Sequence, residues 1–231
     1  MIPLRDDQPR FSTPYLTYFL IGLNLLIYLF ESTLDARSQQ ILLVQLGVVP
    51  AHITSLLTGA RQLNPIAVLL TIFTSMFLHG SWLHVIGNMW FLWIFGDNVE
   101  DYLGHFIYLI FYLLSGVAAA LAQVLLTPSS IVPTIGASGA IAGVLGAYFI
   151  LYPRARVLTW FFVFFVHIPA WIVLGYWFVL QFLSGAATSL AYAGNSTGGI
   201  AFWAHVGGFI AGVVMVKLFP ERPRRDRYGA F

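Results

Sequence analysis

The chain has 231 residues, of which 59% are hydrophobic and only 9% are charged, and its mean hydropathy is +0.83. A soluble domain has about 25% charged residues, so this chain lacks the polar material needed to cover a surface in water. The composition therefore excludes a disordered chain, a soluble enzyme, a coiled coil and a nucleic-acid-binding domain. It predicts an all-α, polytopic membrane protein.

Six apolar segments are predicted to span the membrane as helices. A membrane helix needs about 20 apolar residues, and these segments reach that length or come close to it. Most of them are bounded by polar, proline or glycine residues, which favour helix ends and turns. In chain order the predicted spans are residues 15–30, 82–99, 106–126, 138–152, 170–189 and 200–219.

Three segments between the predicted spans need a separate interpretation. Residues 32–64 contain no apolar run of spanning length, and we expect this long loop to lie partly in the membrane interface. Residues 66–78 are apolar and end at His79-Gly80, as expected of a segment that approaches the next span. Residues 157–169 are interpreted as an embedded, re-entrant connecting segment, and the alternative is one very long kinked helix.

The positive charges predict the orientation of the chain. Six spans place both termini on one side, and the positive-inside rule makes the basic side the cytoplasm. The predicted organisation is a cytoplasmic segment (1–14), a six-helix membrane domain (15–219) and a basic cytoplasmic tail (220–231), in a multi-pass protein of a plasma or inner cell membrane. The basic residues on the predicted cytoplasmic side are Arg5, Arg10, Arg154, Arg156, Lys217, Arg222, Arg224, Arg225 and Arg227.

Polar side chains inside predicted spans require an explanation, because a polar group without a partner is costly in hydrocarbon. His84 and Asn88 are four residues apart and share one helix face. Ser138 begins a glycine-rich span, and His205 lies near the start of the last span. Each residue could serve packing or an interhelical hydrogen bond alone. All of them, however, are predicted in the outer half of the bilayer, as a nucleophile, a base and hydrogen-bond donors around one carbonyl would be.

At these residues the chain resembles the rhomboid family of intramembrane serine proteases. The resemblance covers residues 15–219 and implies a six-transmembrane-helix rhomboid-like bundle. The matching elements are Gly136-x-Ser138-Gly139, Ala204-His205-x-x-Gly208-x-x-x-Gly212, His79-x4-His84-x3-Asn88 and Glu100-x3-Gly104.

The resemblance also implies roles for individual residues. Ser138 would be the nucleophile and His205 the general base of a dyad without an acidic third member. Asn88 and His84 would donate hydrogen bonds to the oxyanion together with the backbone N–H of Ser138, and His79 would help to order either the pocket or the entry of water. The supporting glycines of the motifs are Gly136, Gly139 and Gly208.

The chain departs from the family pattern at two sites. Leu70-Thr71 stand where many relatives have a Trp-Arg pair, which concerns how the loop 32–64 is anchored. Ala142 stands where some relatives have a tyrosine that stacks on the base. The ring of His205 must therefore be held by another group.

The implied reaction is hydrolysis of a peptide bond in or near transmembrane segments of other membrane proteins. Water must then reach Ser138 through a cavity open to the outer side, and the substrate would enter sideways. The span 170–189 and the loop 194–199 are the predicted gate. The expected partners are transmembrane protein substrates and the lipid bilayer, with no nucleic acid, and the oligomeric state is left open.

Three other functions are conceivable for such a chain. A non-catalytic rhomboid-like protein would bind client proteins without needing both Ser138 and His205. A transporter would need polar groups through the full depth of the membrane, and here they cluster in one half. A metalloprotease is disfavoured, because the chain has no cysteine and no His-Glu-x-x-His motif. We therefore expect no cofactor and no metal.

Overall fold

The structure is a computed structural model that describes residues 1–60, 62–191 and 201–222. In these ranges the chain forms a helical bundle, which confirms the predicted helical membrane fold, together with one small sheet. The elements in chain order are β1 (Ile2–Asp6), α1 (Tyr15–Glu31), α2 (Ala36–Leu46), α3 (Pro50–Thr58), α4 (Pro65–Thr74), α5 (Trp82–Leu103), α6 (His105–Leu126), α7 (Ser138–Leu151), β2 (Arg156–Phe161), β3 (Phe164–Pro169), α8 (Ala170–Ala191) and α9 (Phe202–Met215).

The helices that correspond to the predicted spans are α1, α5, α6, α7, α8 and α9, and they differ in length. Helices α6 and α8 are each long and apolar enough to cross a membrane alone, and α4 and α5 pass this test only as a pair bent by 78°. Helices α1, α7 and α9 have 17, 14 and 14 residues. At about 1.5 Å per residue, the two shortest rise about 21 Å, less than the hydrocarbon thickness of about 30 Å.

The segment 157–169 is a β-hairpin, so the alternative of one very long kinked helix was wrong, and the interpretation as an embedded connecting segment stays a prediction. Strands β2 and β3 pair antiparallel, and β1 from the chain's beginning pairs with the other edge of β2. The β-branched and aromatic residues of this segment favour strands. The turn places Phe162 at a φ of +53°. The first residues of the chain are therefore joined to the connection between α7 and α8, and the Tyr148 hydroxyl donates a hydrogen bond to the Asp6 carboxylate.

The long loop between the first two predicted spans is folded, with α2 and α3 inside it. Val48 and Thr134 exchange backbone hydrogen bonds of 3.0 and 2.7 Å, which join this loop to the segment that precedes Ser138. Apolar side chains bury the same contact. The loop is thus anchored without a Trp-Arg pair. The buried cluster consists of Val48, Ile53, Ile72, Met76, Ala120 and Val124.

Glu100 on α5 holds the beginning of α1. Its buried carboxylate accepts hydrogen bonds from the backbone N–H groups of Leu16 and Thr17 at 2.9 and 2.7 Å. These N–H groups have no partner within their own helix, and α1 has no side-chain cap of its own. Gly104 follows with a φ of +77°, which favours glycine and permits the sharp passage from α5 to α6. The Glu100-x3-Gly104 element therefore binds the beginning of α1 to α5 and sets the turn from α5 into α6.

Helix α7 occupies the centre of the bundle and packs directly against α9. Its residues from Gly139 to Tyr148 are all buried. A Cβ atom at Gly208 would overlap the carbonyl oxygen of Gly139, and one at Gly212 would overlap the backbone of Gly143. Such backbone-to-backbone contact is possible only for glycine, as in small-residue interfaces of membrane helices. These glycines determine how closely the two helices approach each other.

Candidate active site

Ser138 and His205 lie side by side at the contact of α7 with α9. Ser138 is the first residue of α7, and His205 is in the first turn of α9. Ser138 Oγ and His205 Nε2 are 2.8 Å apart, within hydrogen-bond distance. The serine is half-buried and the histidine only 8% exposed. Residues 67 positions apart in sequence are thus brought together by the glycine contact of the two helices.

A side chain from α8 completes the hydrogen bonding of the His205 ring. Gln181 Oε1 is 2.7 Å from His205 Nδ1. An amide oxygen can only accept a hydrogen bond, so Nδ1 carries the proton in this arrangement. Nε2 is then unprotonated and accepts a hydrogen bond from the Ser138 hydroxyl. Trp177, one turn before Gln181, packs its ring 5.8 Å from the ring of His205.

The sequence interpretation did not include Gln181 or Trp177. It did predict that another group must hold the His205 ring, since Ala142 carries no aromatic ring. The structure assigns this contact to α8. A signal was present in the sequence, because Gln181 is a lone amide side chain within the apolar segment 170–189.

His84 and Asn88 lie one turn apart on α5 and face the loop that leads into α7. Gly136 in this loop has a φ of +116°, a conformation that favours glycine. A Cβ at Gly136 would lie 2.7 Å from His84 Nε2 and 3.6 Å from Asn88 Nδ2. The two α5 side chains therefore border the backbone just before Ser138, and both are half-buried.

His79 is fully buried behind Asn88. Asn88 Nδ2 donates a hydrogen bond to His79 Nε2 at 3.0 Å, and the rings of His79 and His84 are in edge contact at 4.9 Å. The backbone N–H of His79 donates to Glu31 Oε2 at 3.2 Å. Glu31, the last residue of α1, is fully buried there. A carboxylate thus lies next to the histidine–asparagine pair, although not next to His205.

The glycines predicted to support the site differ in their contacts. Gly139 follows Ser138, and a Cβ there would approach the Cβ of Ala119 on α6 to 2.6 Å. Gly208 contacts the carbonyl of Gly139 across the α7–α9 interface. The loop 194–199 of the predicted gate and residues 223–231 of the basic tail lie outside the described residues.

The fold and the site define a class of protein: a polytopic helical membrane protein with a hydrogen-bonded serine and histidine between its central helices. Comparison with known families agrees, because the Rhomboid domain family model matches residues 67–222. The chain belongs to the rhomboid family, as the sequence motifs predicted.

Curated relatives support this assignment. The chain is 32% identical over 168 residues to Rhomboid protein 1, mitochondrial, of Saccharomyces cerevisiae, covering 70% of this chain and 46% of the relative. It is 30% identical over 155 residues to Rhomboid-like protein 11, chloroplastic, of Arabidopsis thaliana, covering 65% of this chain and 52% of the relative. The chain spans about half the length of these two relatives.

A third relative is the Presenilin-associated rhomboid-like protein A, mitochondrial, of Danio rerio, 29% identical over 147 residues, covering 60% of this chain and 34% of the relative. Membership of the family makes this chain a membrane-embedded protein. The names of the three relatives refer to mitochondria and chloroplasts. They therefore give no support to the predicted location in a plasma or inner cell membrane.

Proposed function

We propose that this chain is an intramembrane serine endopeptidase that cuts a peptide bond in or near a transmembrane segment of another membrane protein. The observation that carries the proposal is the 2.8 Å hydrogen bond between Ser138 Oγ and His205 Nε2 in a chain of the rhomboid family. A serine hydroxyl alone is a weak nucleophile, and an imidazole that accepts its proton activates it. A rhomboid-like protein that only binds client proteins would have no need of this pair.

In the proposed reaction, Ser138 Oγ attacks the carbonyl carbon of the substrate while His205 Nε2 takes the hydroxyl proton. The carbonyl oxygen becomes the oxyanion of a tetrahedral intermediate. His205 then gives the proton to the amide nitrogen, the C–N bond breaks, and the new amine leaves. Water, deprotonated by the same imidazole, hydrolyses the acyl-enzyme ester and restores the Ser138 hydroxyl.

Three donors are assigned to the oxyanion in this proposal. The N–H of Ser138 opens α7, where it has no partner within the helix and where the helix dipole favours negative charge. Asn88 keeps a second N–H besides the one donated to His79. His84 lies against the Gly136 backbone beside Asn88. His79 has no contact with the substrate in this scheme and holds the Asn88 amide in position.

The substrate class follows from the state of its backbone. A transmembrane helix hides its carbonyl groups in internal hydrogen bonds, so it must unwind before Ser138 can attack. Substrates with glycine or other helix-weakening residues near the membrane surface should therefore be favoured. The shortness of α7 supports this choice, because Ser138 at its end then lies below the membrane surface.

The topology is part of the same proposal. In this proposal the protein lies in a plasma or inner cell membrane with both termini in the cytoplasm. The site opens to the opposite side of the membrane. Because the chain has no cysteine, the single-cysteine variants Arg10→Cys and Trp82→Cys can each be labelled with a membrane-impermeant maleimide in intact cells. Labelling at Trp82 but not at Arg10 is expected, and the reverse pattern would exclude this orientation.

The proposed activity is tested with the purified chain and a model transmembrane substrate that contains a glycine near one end of its span. We expect cleavage within or next to the span, insensitivity to a metal chelator, and loss of cleavage after treatment with a fluorophosphonate. Mass spectrometry should find the phosphonate adduct on Ser138. Cleavage that a chelator abolishes, or an adduct on another serine, would contradict the proposal.

Asn88→Ala should lower kcat by about 10²–10³-fold, the usual effect of losing one oxyanion donor. KM should change little, because the donor acts mainly in the transition state. The measurement is initial cleavage rates over a range of substrate concentrations. Asn24→Leu is the matched control, since Asn24 is a buried intramembrane amide bonded to Leu20 within α1. An Asn88→Ala enzyme within twofold of the unaltered one would remove Asn88 from the oxyanion site.

A further inference from the structure

The His205 ring is held by two residues of one helix, α8. Gln181 Oε1 accepts a hydrogen bond from Nδ1 at 2.7 Å, and the ring of Trp177 lies 5.8 Å from the imidazole. Trp177 and Gln181 are four residues apart, so both project from the same face of α8. Further along α9, Phe178 packs on Phe209 with ring centroids 4.7 Å apart. The side of α9 that carries His205 and Phe209 thus packs against α8 over about one turn of each helix.

The hydrogen bond to Gln181 decides which nitrogen of His205 carries the proton. A neutral imidazole has one N–H and one lone pair, and only the form with the proton on Nδ1 leaves Nε2 able to accept from Ser138. In a soluble serine protease, a carboxylate opposite Nδ1 fixes this tautomer, and the wrong tautomer is inactive. In the described residues the position opposite Nδ1 is occupied by the neutral amide of Gln181.

We propose that Gln181 is the positioning residue of the dyad. Its hydrogen bond fixes His205 in the Nδ1–H tautomer, so that His205 can act as a base only while α8 keeps its position next to the ring. The proposal rests on the proposed protease function for its kinetic consequence, but not for the tautomer itself. A neutral partner suits this membrane setting, because a carboxylate would be costly to bury without a positive partner.

The tautomer is measured by ¹⁵N NMR on protein labelled with ¹⁵N-histidine in detergent micelles, with the His205 signals assigned from a His205→Ala spectrum. The chain has six histidines, so the spectrum is simple enough for this comparison. We expect a protonated Nδ1 and an unprotonated Nε2 for His205. Gln181→Leu should give a mixture of the two tautomers, and Gln181→Glu should preserve the Nδ1–H form. An Nε2–H tautomer in the unaltered protein, or a Gln181→Leu spectrum identical to it, would overturn the proposal.

Kinetics provide the second measurement. Gln181→Leu should lower kcat about tenfold, the loss expected from one neutral hydrogen bond, with KM within twofold. Gln181→Glu should recover most of kcat, because it again accepts from Nδ1. Equal kcat values for the glutamine, leucine and glutamate enzymes would contradict the positioning role.

Gln123→Leu is the matched control for a glutamine that only joins helices. Gln123 on α6 accepts a hydrogen bond from the backbone N–H of Ala204 at 3.1 Å, next to His205 but not on its ring. This variant should lower thermal stability and leave the His205 tautomer unchanged. A protein that cleaves nothing, yet loses the Nδ1–H tautomer on Gln181→Leu, would refute the protease function and keep the role of Gln181. A change of tautomer in Gln123→Leu equal to that in Gln181→Leu would refute the specific role.

Discussion

Alanine at Ser138 or at His205 is expected to lower kcat/KM by about 10⁴-fold or more. In the proposed mechanism the two groups act as a unit, because the hydroxyl becomes a nucleophile only as the imidazole takes its proton. The double variant should therefore be no slower than either single variant. The measurement is single-turnover cleavage of the model substrate with excess enzyme, which separates the chemical step from product release.

Two controls test whether any intramembrane serine or any histidine would behave in the same way. Ser115 on α6 is fully buried, and its hydroxyl faces Gly143 of α7 and not the His205 ring, so Ser115→Ala should cleave normally. His52 lies on α3 in the loop between the first two spans, and His52→Ala should also cleave normally. Multiplicative losses in the Ser138/His205 double variant would show that the residues act independently and would contradict a dyad.

Gly212→Ala is expected to damage both stability and activity. A Cβ at this position would overlap the carbonyl oxygen of Gly143 and contact the backbone around it, and a backbone cannot move aside as a flexible side chain can. Helices α7 and α9 must then separate, at a cost of about 1–3 kcal/mol. Ser138 and His205 sit on these two helices, and a misplacement of about 1 Å can lower a rate about 10²-fold. Thermal unfolding in detergent and the cleavage rate measure the two effects.

Gly22→Ala is the control for this glycine prediction. Gly22 lies on α1, and no atom would come within 4 Å of a Cβ placed there. Alanine favours helix by up to about 1 kcal/mol over glycine, so this variant should be as stable as the unaltered chain or slightly more stable. If Gly212→Ala and Gly22→Ala melted at the same temperature, the close contact of α7 and α9 would not carry the stability assigned to it.

The helices were predictable because their signal is local. Apolar length and bounding polar residues indicated α1, α5 and α6 to within a few residues, and the spacing of His84 and Asn88 indicated a shared helix face. The sheet was not predictable in the same way. Ile2 of β1 pairs with Trp160 of β2, and a contact between residues so far apart leaves no periodic trace in either segment.

The environment of the histidines shows the same limit. Gln181 lies 24 residues from His205 and Glu31 lies 48 residues from His79, so tertiary packing alone brings these pairs together. The sequence does mark Gln181, as a polar group in an apolar span that needs a partner. It cannot mark which partner, because Ser138, Asn88 and three histidines were all candidates in the same layer of the membrane.

The attachment of α8 has a mechanical consequence. Its first residues are hydrogen-bonded to the segment that follows α7, because the N–H groups of Ala170 and Trp171 donate to the carbonyls of Ala155 and Pro153. A tilt of α8 about these two bonds would move Gln181, which lies about 16 Å further along the helix axis. A tilt of about 10° would therefore move Gln181 by about 3 Å, which is enough to break its hydrogen bond to His205. A protease that admits substrate by tilting this helix would be inactive while the helix is tilted. It would cut only those substrate segments that are still bound when the helix has returned.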